Sequence, residues 1–276
     1  MLNPDDTLKT RLKKGETLAG TFIAELRTAN YGSILDAAGY DFALFDMEHC
    51  AFSMQDLAAM FPSFHGSRSQ PVVRVPAVRR EFFQPLLDLD VRGIMVPMVE
   101  SPEEIREAVA LMKYPPHGRR GVHFATPHTR FRGADRDAYA RMANDNVLLI
   151  VQIETDKGLA NLDAILDEPG VDVAFVGNGD LSSFMRLPNT LVEGPVLDAA
   201  HRILQNAKAR GIPGGGAFTD PKFAGQFYQD GLRFVTIDCD VVQFMQGMRA
   251  NLERLHAVLP PDARIAPLSP AKNIVS

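Results

Sequence analysis

Short runs of apolar, often β-branched residues recur along the chain, each followed by a turn and then by residues of helical period. The first four lie at 18–24 (LAGTFIA), 42–48 (FALFDME), 71–76 (PVVRVP) and 93–98 (GIMVPM). Four more follow at 147–154 (VLLIVQIE), 171–177 (VDVAFVG), 212–217 (IPGGGA) and 234–238 (FVTID). The stretches 31–38, 53–62, 79–89, 102–112, 157–167, 195–210, 220–230 and 241–258 read as helices. Strands that are apolar throughout, rather than alternating, are buried on both faces, as in a parallel sheet covered by its crossover helices. Eight such units predict an α/β fold closed into a single (β/α)₈ barrel of the TIM type. The alternative, an open doubly wound sheet, would carry a Gly-rich nucleotide loop after its first strand, and TFIAELRTAN has none.

The 276 residues suit one barrel domain, with a core over about 15–258 and a Pro-rich tail at 259–276. That tail reads either as a disordered end or as a strap on a neighbouring subunit. The connection 113–146 is unusually long and rich in arginine and histidine. It is expected to leave the C-terminal end of the fourth strand, the face on which barrel active sites lie.

Composition narrows the class. At 46% apolar and 23% charged the chain can bury a large core, and a net charge of −5 argues against nucleic acid as a main partner. Cys50 and Cys239 form no disulfide framework and no zinc spacing. The N-terminal segment lacks a signal-peptide stretch and no apolar run spans a bilayer, so a cytoplasmic protein is expected.

Chemistry is sought at the C-terminal ends of strands. The second ends in Asp46, Met47, Glu48 and His49; the third carries Arg74; the fifth ends in Gln152 and Glu154; the sixth runs into Gly179 and Asp180; the eighth ends in Asp238. Glu154 and Asp180 come from consecutive strands and can converge, and two such carboxylates need a cation or a proton between them. Oxygen donors of this kind suit Mg²⁺ or Mn²⁺. The bland alternative makes Asp180 a helix cap. Arg74, among valines and prolines, must meet an anion: a structural carboxylate such as Asp46 or Glu48, or a substrate oxygen. His49 is placed for proton transfer, oriented by Asp46 or Glu48. No lysine lies in a predicted strand, and the nearest, Lys157, falls in a helix's first turn. A Schiff-base mechanism is therefore disfavoured, and carbonyl polarisation falls to a metal.

The runs AAGYDFALFDMEH, QPVVRVP, LLDLDVRGIMVPMVESPEEIREAV, YPPHGRRGV, VQIET and VAFVGNGDLS, in order over about 15–250, resemble the HpcH/HpaI aldolases. That resemblance implies a metal-dependent (class II) pyruvate aldolase, such as those acting on 4-hydroxy-2-oxoheptanedioate in aromatic catabolism. It cleaves 4-hydroxy-2-oxo acids to pyruvate and an aldehyde, or runs the reverse addition. It implies Glu154 and Asp180 as ligands of Mg²⁺, Mn²⁺ or Co²⁺, with Gln152 beside them and no nucleotide cofactor. Arg74 is implied as the enolate-stabilising residue and His49 as the group moving the proton through a water. Asp88 is implied as a partner of that histidine, although a simple barrel puts it on the opposite rim unless a neighbouring subunit supplies it. The N–H groups of Gly179 and Asp180 are implied as a cradle for the substrate carboxylate. A homohexamer, a trimer of dimers with the C-terminal helix exchanged, is implied as well.

Five departures bear on specificity, one of them His123, which follows GRRGV where a small residue is frequent. Met47 replaces a usual glycine and is expected at the site entrance. GNGDLS replaces GPADLS, Asp90 stands where glycine is usual, and GGGAF in the seventh strand is expected to widen the pocket. The arginines Arg119, Arg120, Arg130 and Arg132 suggest a second substrate carboxylate, or else surface or interface charge. The rivals are a CitE-like acyl-CoA lyase and a non-catalytic carboxylate-binding barrel.

Overall fold

The computed structural model describes residues 6–132, 135–187, 191 and 193–260. Eight parallel strands pair in chain order and close on themselves. They are β1 (Leu18–Ile23), β2 (Phe42–Asp46), β3 (Gln70–Arg74), β4 (Gly93–Val96), β5 (Leu148–Ile153), β6 (Val173–Val176), β7 (Gly214–Phe218) and β8 (Leu232–Cys239). The (β/α)₈ barrel expected from the apolar runs is the observed fold. Most strand ends move by one or two residues, and β8 is longer than expected.

The helices are α1 (Leu8–Lys13), α2 (Tyr31–Ala38), α3 (Met54–Met60), α4 (Arg80–Asp88), α5 (Pro102–Met112) and α6 (Arg136–Asn146). They continue with α7 (Asp156–Ala160), α8 (Leu162–Leu166), α9 (Asn178–Phe184), α10 (Pro195–Ala209), α11 (Lys222–Phe227) and α12 (Asp240–Val258). Local chemistry sets several starts. Ser101 and Glu104 form a capping box before α5, with Pro102 at the first helical position, where a missing N–H costs nothing. The helix expected over 157–167 divides into α7 and α8 at Asn161, whose side chain leaves to bond Glu100 O at 2.8 Å.

The pleat sorts each strand into two rows. Outward residues such as Ala43, Phe45, Val73, Ile94, Val151 and Ala174 pack under the helices. Inward residues Phe42, Leu44, Val72, Met95, Ile150 and Phe175 fill the barrel, where Phe42 and Phe234 stack at 3.9 Å. Leu8 and Leu12 of α1 join this inner cluster and close the barrel's N-terminal mouth. The short LKTRLK helix is held there by Arg11, which pairs with Asp41 at 2.6 Å and Glu16 at 2.9 Å.

The long connection lies elsewhere than expected. It follows α5 rather than β4, so it returns to the start of β5 at the N-terminal rim, opposite the C-terminal ends of the strands. Tyr114 packs edge to face with Phe124 and Tyr139, Phe124 does so with His128, and Arg120 covers Tyr114 at 4.5 Å. Arg120 also pairs with Asp88 at 3.1 Å. Of the tail, 261–276 lie outside the described residues. Among the described residues no helix is long and apolar enough to cross a membrane.

Burial, helped by the nearby Arg120, pushes the His128 imidazole down to about 4. Folded, it stays neutral; unfolded, it titrates near its ordinary value of about 6.5. The unfolded chain therefore binds the extra proton as pH falls from about 6.5 toward 4, and stability is lost across that window. His128→Gln should flatten this part of the curve: the drop in urea midpoint between pH 7 and pH 5 should be smaller in the variant than in the wild type.

Candidate active site

At the C-terminal rim the inward rows change character. Phe42 and Leu44 are followed by Asp46, Val72 by Arg74, Leu148 and Ile150 by Gln152 and Glu154, and Phe234 and Thr236 by Asp238. With a period of two, any polar residue at the end of an inward row must face the barrel mouth. These side chains line a cavity of about 310 Å³, together with His49, Gly177, Gly179 and Asp180. Asp46, His49, Arg74, Gln152, Glu154, Gly179 and Asp180 are thus brought together as expected.

Arg74 is clasped by Asp46 through two bonds, Nε to Oδ1 at 2.9 Å and Nη2 to Oδ2 at 2.7 Å. Its Nη1 lies 3.3 Å from Glu48, and its guanidinium stands 5.0 Å from the Phe22 ring centroid. Burial raises the Asp46 carboxyl, but Arg74 and the amides of Glu48 and His49 outweigh it and hold the group below the usual carboxylate range. Asp46 is therefore the residue that fixes Arg74 rather than one that orients the imidazole. Glu48 is the carboxylate near His49, at 3.8 Å from Nε2, and the His49 side chain is 60% exposed.

Glu154 is the most constrained group in the site. It is 1% exposed, and its Oε1 accepts the Met98 N–H at 2.7 Å while its Oε2 accepts Gln152 Nε2 at 2.5 Å. Burial raises its carboxyl; the Met98 bond opposes this, but Asp180 and Glu48 add to it, and the group is pushed up to about 8. Burial also raises Glu48, against the pull of Arg74 and His49. Three acidic groups thus feel one another in a dry setting, which favours a cation among them. Gln152 Oε1 is buried and without a hydrogen-bond partner. A hard divalent cation fits this donor set: two carboxylates with a free amide oxygen beside them, and remaining positions left to water and substrate. Among the described residues, no group of three His, Cys, Asp or Glu side chains encloses a metal by itself.

Asp180 is the third residue of α9 rather than its cap; Gly177 occupies that position. Gly177 is required by contact: a Cβ there would lie 2.4 Å from Glu154 Oε2 and 2.9 Å from Gln152 Nε2. Lys157 is exposed and pairs with Glu100 at 2.9 Å, and among the described residues no lysine lines the cavity.

The region 20–247 matches the model of the HpcH/HpaI aldolase/citrate lyase family. The chain belongs to this family. It is 35% identical over 260 residues to the 2-dehydro-3,6-dideoxy-6-sulfogluconate aldolase of Pseudomonas putida, covering 91% of this chain and 98% of that one. It is 36% identical over 248 residues to the hydroxypyruvate/pyruvate aldolase of Roseobacter denitrificans, covering 88% and 94%. The crystal structure of an HpcH/HpaI aldolase from Desulfitobacterium hafniense superposes with a TM-score of 0.87 at 28% identity, covering 94% and 99%. The protein is a carbon–carbon lyase, an aldolase of the metal-dependent class.

The geometry bears on several expected details of this aldolase, keeping Asp88 on the opposite rim as a simple barrel requires and correcting others. Asp88, at the end of α4, meets Arg120, Gln84 and the His128 ring on the N-terminal rim, so one chain does not bring it to His49. Met47 packs against the outer core and does not line the cavity. The glycines of β7 do not widen the pocket: a Cβ on Gly214 would meet Leu204 at 2.4 Å and one on Gly215 would meet Phe175 at 2.7 Å, so neighbours already fill that space. Two contributors carried no sequence signal. Met98 turns its amide to Glu154 by adopting a φ of 53°, and Phe22 supplies its ring to Arg74 from β1.

Gly177→Ala has an acceptable backbone (φ −93°) but displaces Glu154. It should fold with an unchanged circular dichroism spectrum and bind Mn²⁺ at least about tenfold more weakly by calorimetry, the scale seen when groups supporting a metal ligand are disturbed.

Proposed function

We propose that this aldolase acts on 4-hydroxy-2-oxo acids, releasing or consuming pyruvate, and that Glu154 and Asp180 hold its divalent cation. The observation that carries this reading is the buried Glu154 carboxyl, crowded by Asp180 and Glu48 and facing the same cavity as Arg74. Relatives named for pyruvate and for 2-keto-3-deoxy-L-rhamnonate support the substrate class. A divalent cation held there (Mg²⁺, Mn²⁺ or Co²⁺) would act as the Lewis acid that polarises the 2-oxo group.

The residues of the chain do the rest. Gln152, Gly179 and Asp180 line the side of the cavity beside Glu154 and receive the 2-oxo acid end of the substrate. His49, through a water, takes the proton of the C4 hydroxyl. The C3–C4 bond then breaks, its electron pair runs to the C2 oxygen, and the aldehyde departs. Arg74, already fixed in direction by Asp46, faces the enolate oxygen that forms; a donor oriented beforehand needs no reorganisation during the step. A proton delivered to C3 gives pyruvate. The clasp has a cost, because Asp46 neutralises part of the guanidinium's charge, and a benefit in precision of aim. Among the described residues lining the cavity, none favours an acyl-CoA ester or a purely binding role.

Removing Arg74 should therefore reduce turnover more than binding. Arg74→Ala should lower kcat on the order of 10²-fold or more in a coupled assay of pyruvate release. Chelator-treated enzyme should be inactive until a divalent cation returns; a pyruvate-forming rate indifferent to chelator contradicts the metal role.

We also propose a homo-oligomer built through α12, with a trimer of dimers as the expected form, in the cytoplasm. In this 19-residue helix only Asp240 is buried, while Phe244, Met248, Leu252 and Leu255 are exposed along one stripe. Large apolar side chains in a row of this kind are covered in stable proteins. The double variant Met248→Asp, Leu252→Asp should sediment as a smaller species than the wild type. Within one chain Asp88 has no route to His49, so any role beside that imidazole belongs to such an assembly.

A further inference from the structure

On the aldolase reading above, the wall of the cavity away from Glu154 is left to the aldehyde half of the substrate, and the charge of its described side chains is unbalanced. There β7, β8 and α12 contribute Ala217, Thr219, Asp238, Cys239 and Val242. Arg74 is the only lysine or arginine among the described residues lining the cavity, and Asp46 and Glu48 already engage it. Asp238 has no such partner among the described residues. Its carboxylate accepts only a long hydrogen bond among the described residues, 3.4 Å from Gln246 Nε2.

The position of Asp238 is built rather than incidental. It continues the inward row of Phe234 and Thr236, as Asp46 and Glu154 continue theirs. Its φ of 49° places it in the left-handed region, which Asp and Asn adopt more readily than other side chains. Thr21 Oγ1 bonds its carbonyl at 3.3 Å, tying the turn to β1. The arginines of 113–146, which might have supplied a cation, lie at the other rim, where Arg119 pairs with Glu107 and Arg120 with Asp88.

We infer that Asp238 selects the aldehyde: the carboxylate accepts a hydrogen bond from a hydroxyl on an uncharged hydroxyaldehyde and repels aldehydes that carry a carboxylate, sulfonate or phosphate. This rests on the aldolase reading above and names its substrate class. Specificity here works by both means available to a pocket, a paired polar group for the right partner and a like charge against the wrong one.

The test uses the intact, metal-loaded enzyme with pyruvate and three aldehydes: glyceraldehyde, propionaldehyde and succinate semialdehyde. Each kcat/KM is divided by the same enzyme's rate of deuterium exchange into the pyruvate methyl group, followed by NMR, a reaction that needs no aldehyde. For the wild type, glyceraldehyde should exceed succinate semialdehyde by at least tenfold, with propionaldehyde between them. Asp238→Asn removes the charge in a residue suited to the same φ, and should cut that ratio at least fivefold, mainly through a lower KM for succinate semialdehyde. A wild type that prefers succinate semialdehyde while exchanging deuterium normally overturns this inference and leaves the aldolase reading standing. An Asp238→Asn enzyme that exchanges deuterium and keeps the wild-type ratio overturns it as well. Absence of exchange in the metal-loaded wild type overturns both.

Discussion

Closing eight parallel strands into a barrel leaves an interior wide enough only for the side chains of the strands themselves, one from each second residue. Everything else in this aldolase follows from how those inward positions are spent. From the N-terminal rim upward they are phenylalanine, leucine, valine and methionine, and Leu8 and Leu12 seal the row from below. Only the last position of each row, or the last two in β5, is free of packing duty. Chemistry is confined there because a charged group one pleat lower would be surrounded by hydrocarbon with no partner.

The charges at the rim stand in two unequal groups. Asp46 and Arg74 satisfy each other at 2.7–2.9 Å and form a rigid unit whose net charge is near zero. Glu154, Asp180 and Glu48 form a group with no comparable two-bond partner; burial first, and then their mutual repulsion, pushes Glu154 and Glu48 upward. Interchanging the roles would not work. An unclasped guanidinium would collapse onto Glu154 and occupy the place proposed for the metal, whereas a clasped one stays aimed across the cavity. Asp46 thus contributes by restraint, a role different from the proton transfer that its neighbour His49 suggests.

Much of this was legible in the residues alone. The strands announced themselves because burial on both faces makes their sequences continuously apolar, and a polar residue ending such a run could only sit at the mouth. That reasoning located Asp46, Arg74, Gln152 and Glu154 without coordinates. It failed where position depends on the path of the chain. Helix α5 reverses direction between β4 and the long connection, so 113–146 and its arginines come back to the far rim, a consequence implicit in the order of elements. Helix α1 is six residues long and polar on most positions, too short for periodicity to mark it. The β7 glycines read as open space because a sequence does not show that Phe175 and Leu204 lean into it.

The φ of 53° at Met98 has a consequence for how the site can vary over generations. The donor that fixes Glu154 there is a main-chain N–H, so it survives every side-chain replacement at that position except proline, which has no N–H to give. Glycine would even relieve the backbone cost of about 1–2 kcal/mol that a left-handed residue carries. Position 98 can therefore vary among the residues that tolerate this φ, β-branched ones fitting it worst, while its contribution stays constant. On the other side of the same carboxylate, Gly177 allows no additional atom. Inherited change around Glu154 is thus channelled to one flank, where identity is limited by the backbone alone because the functional atom is shared by nearly all amino acids.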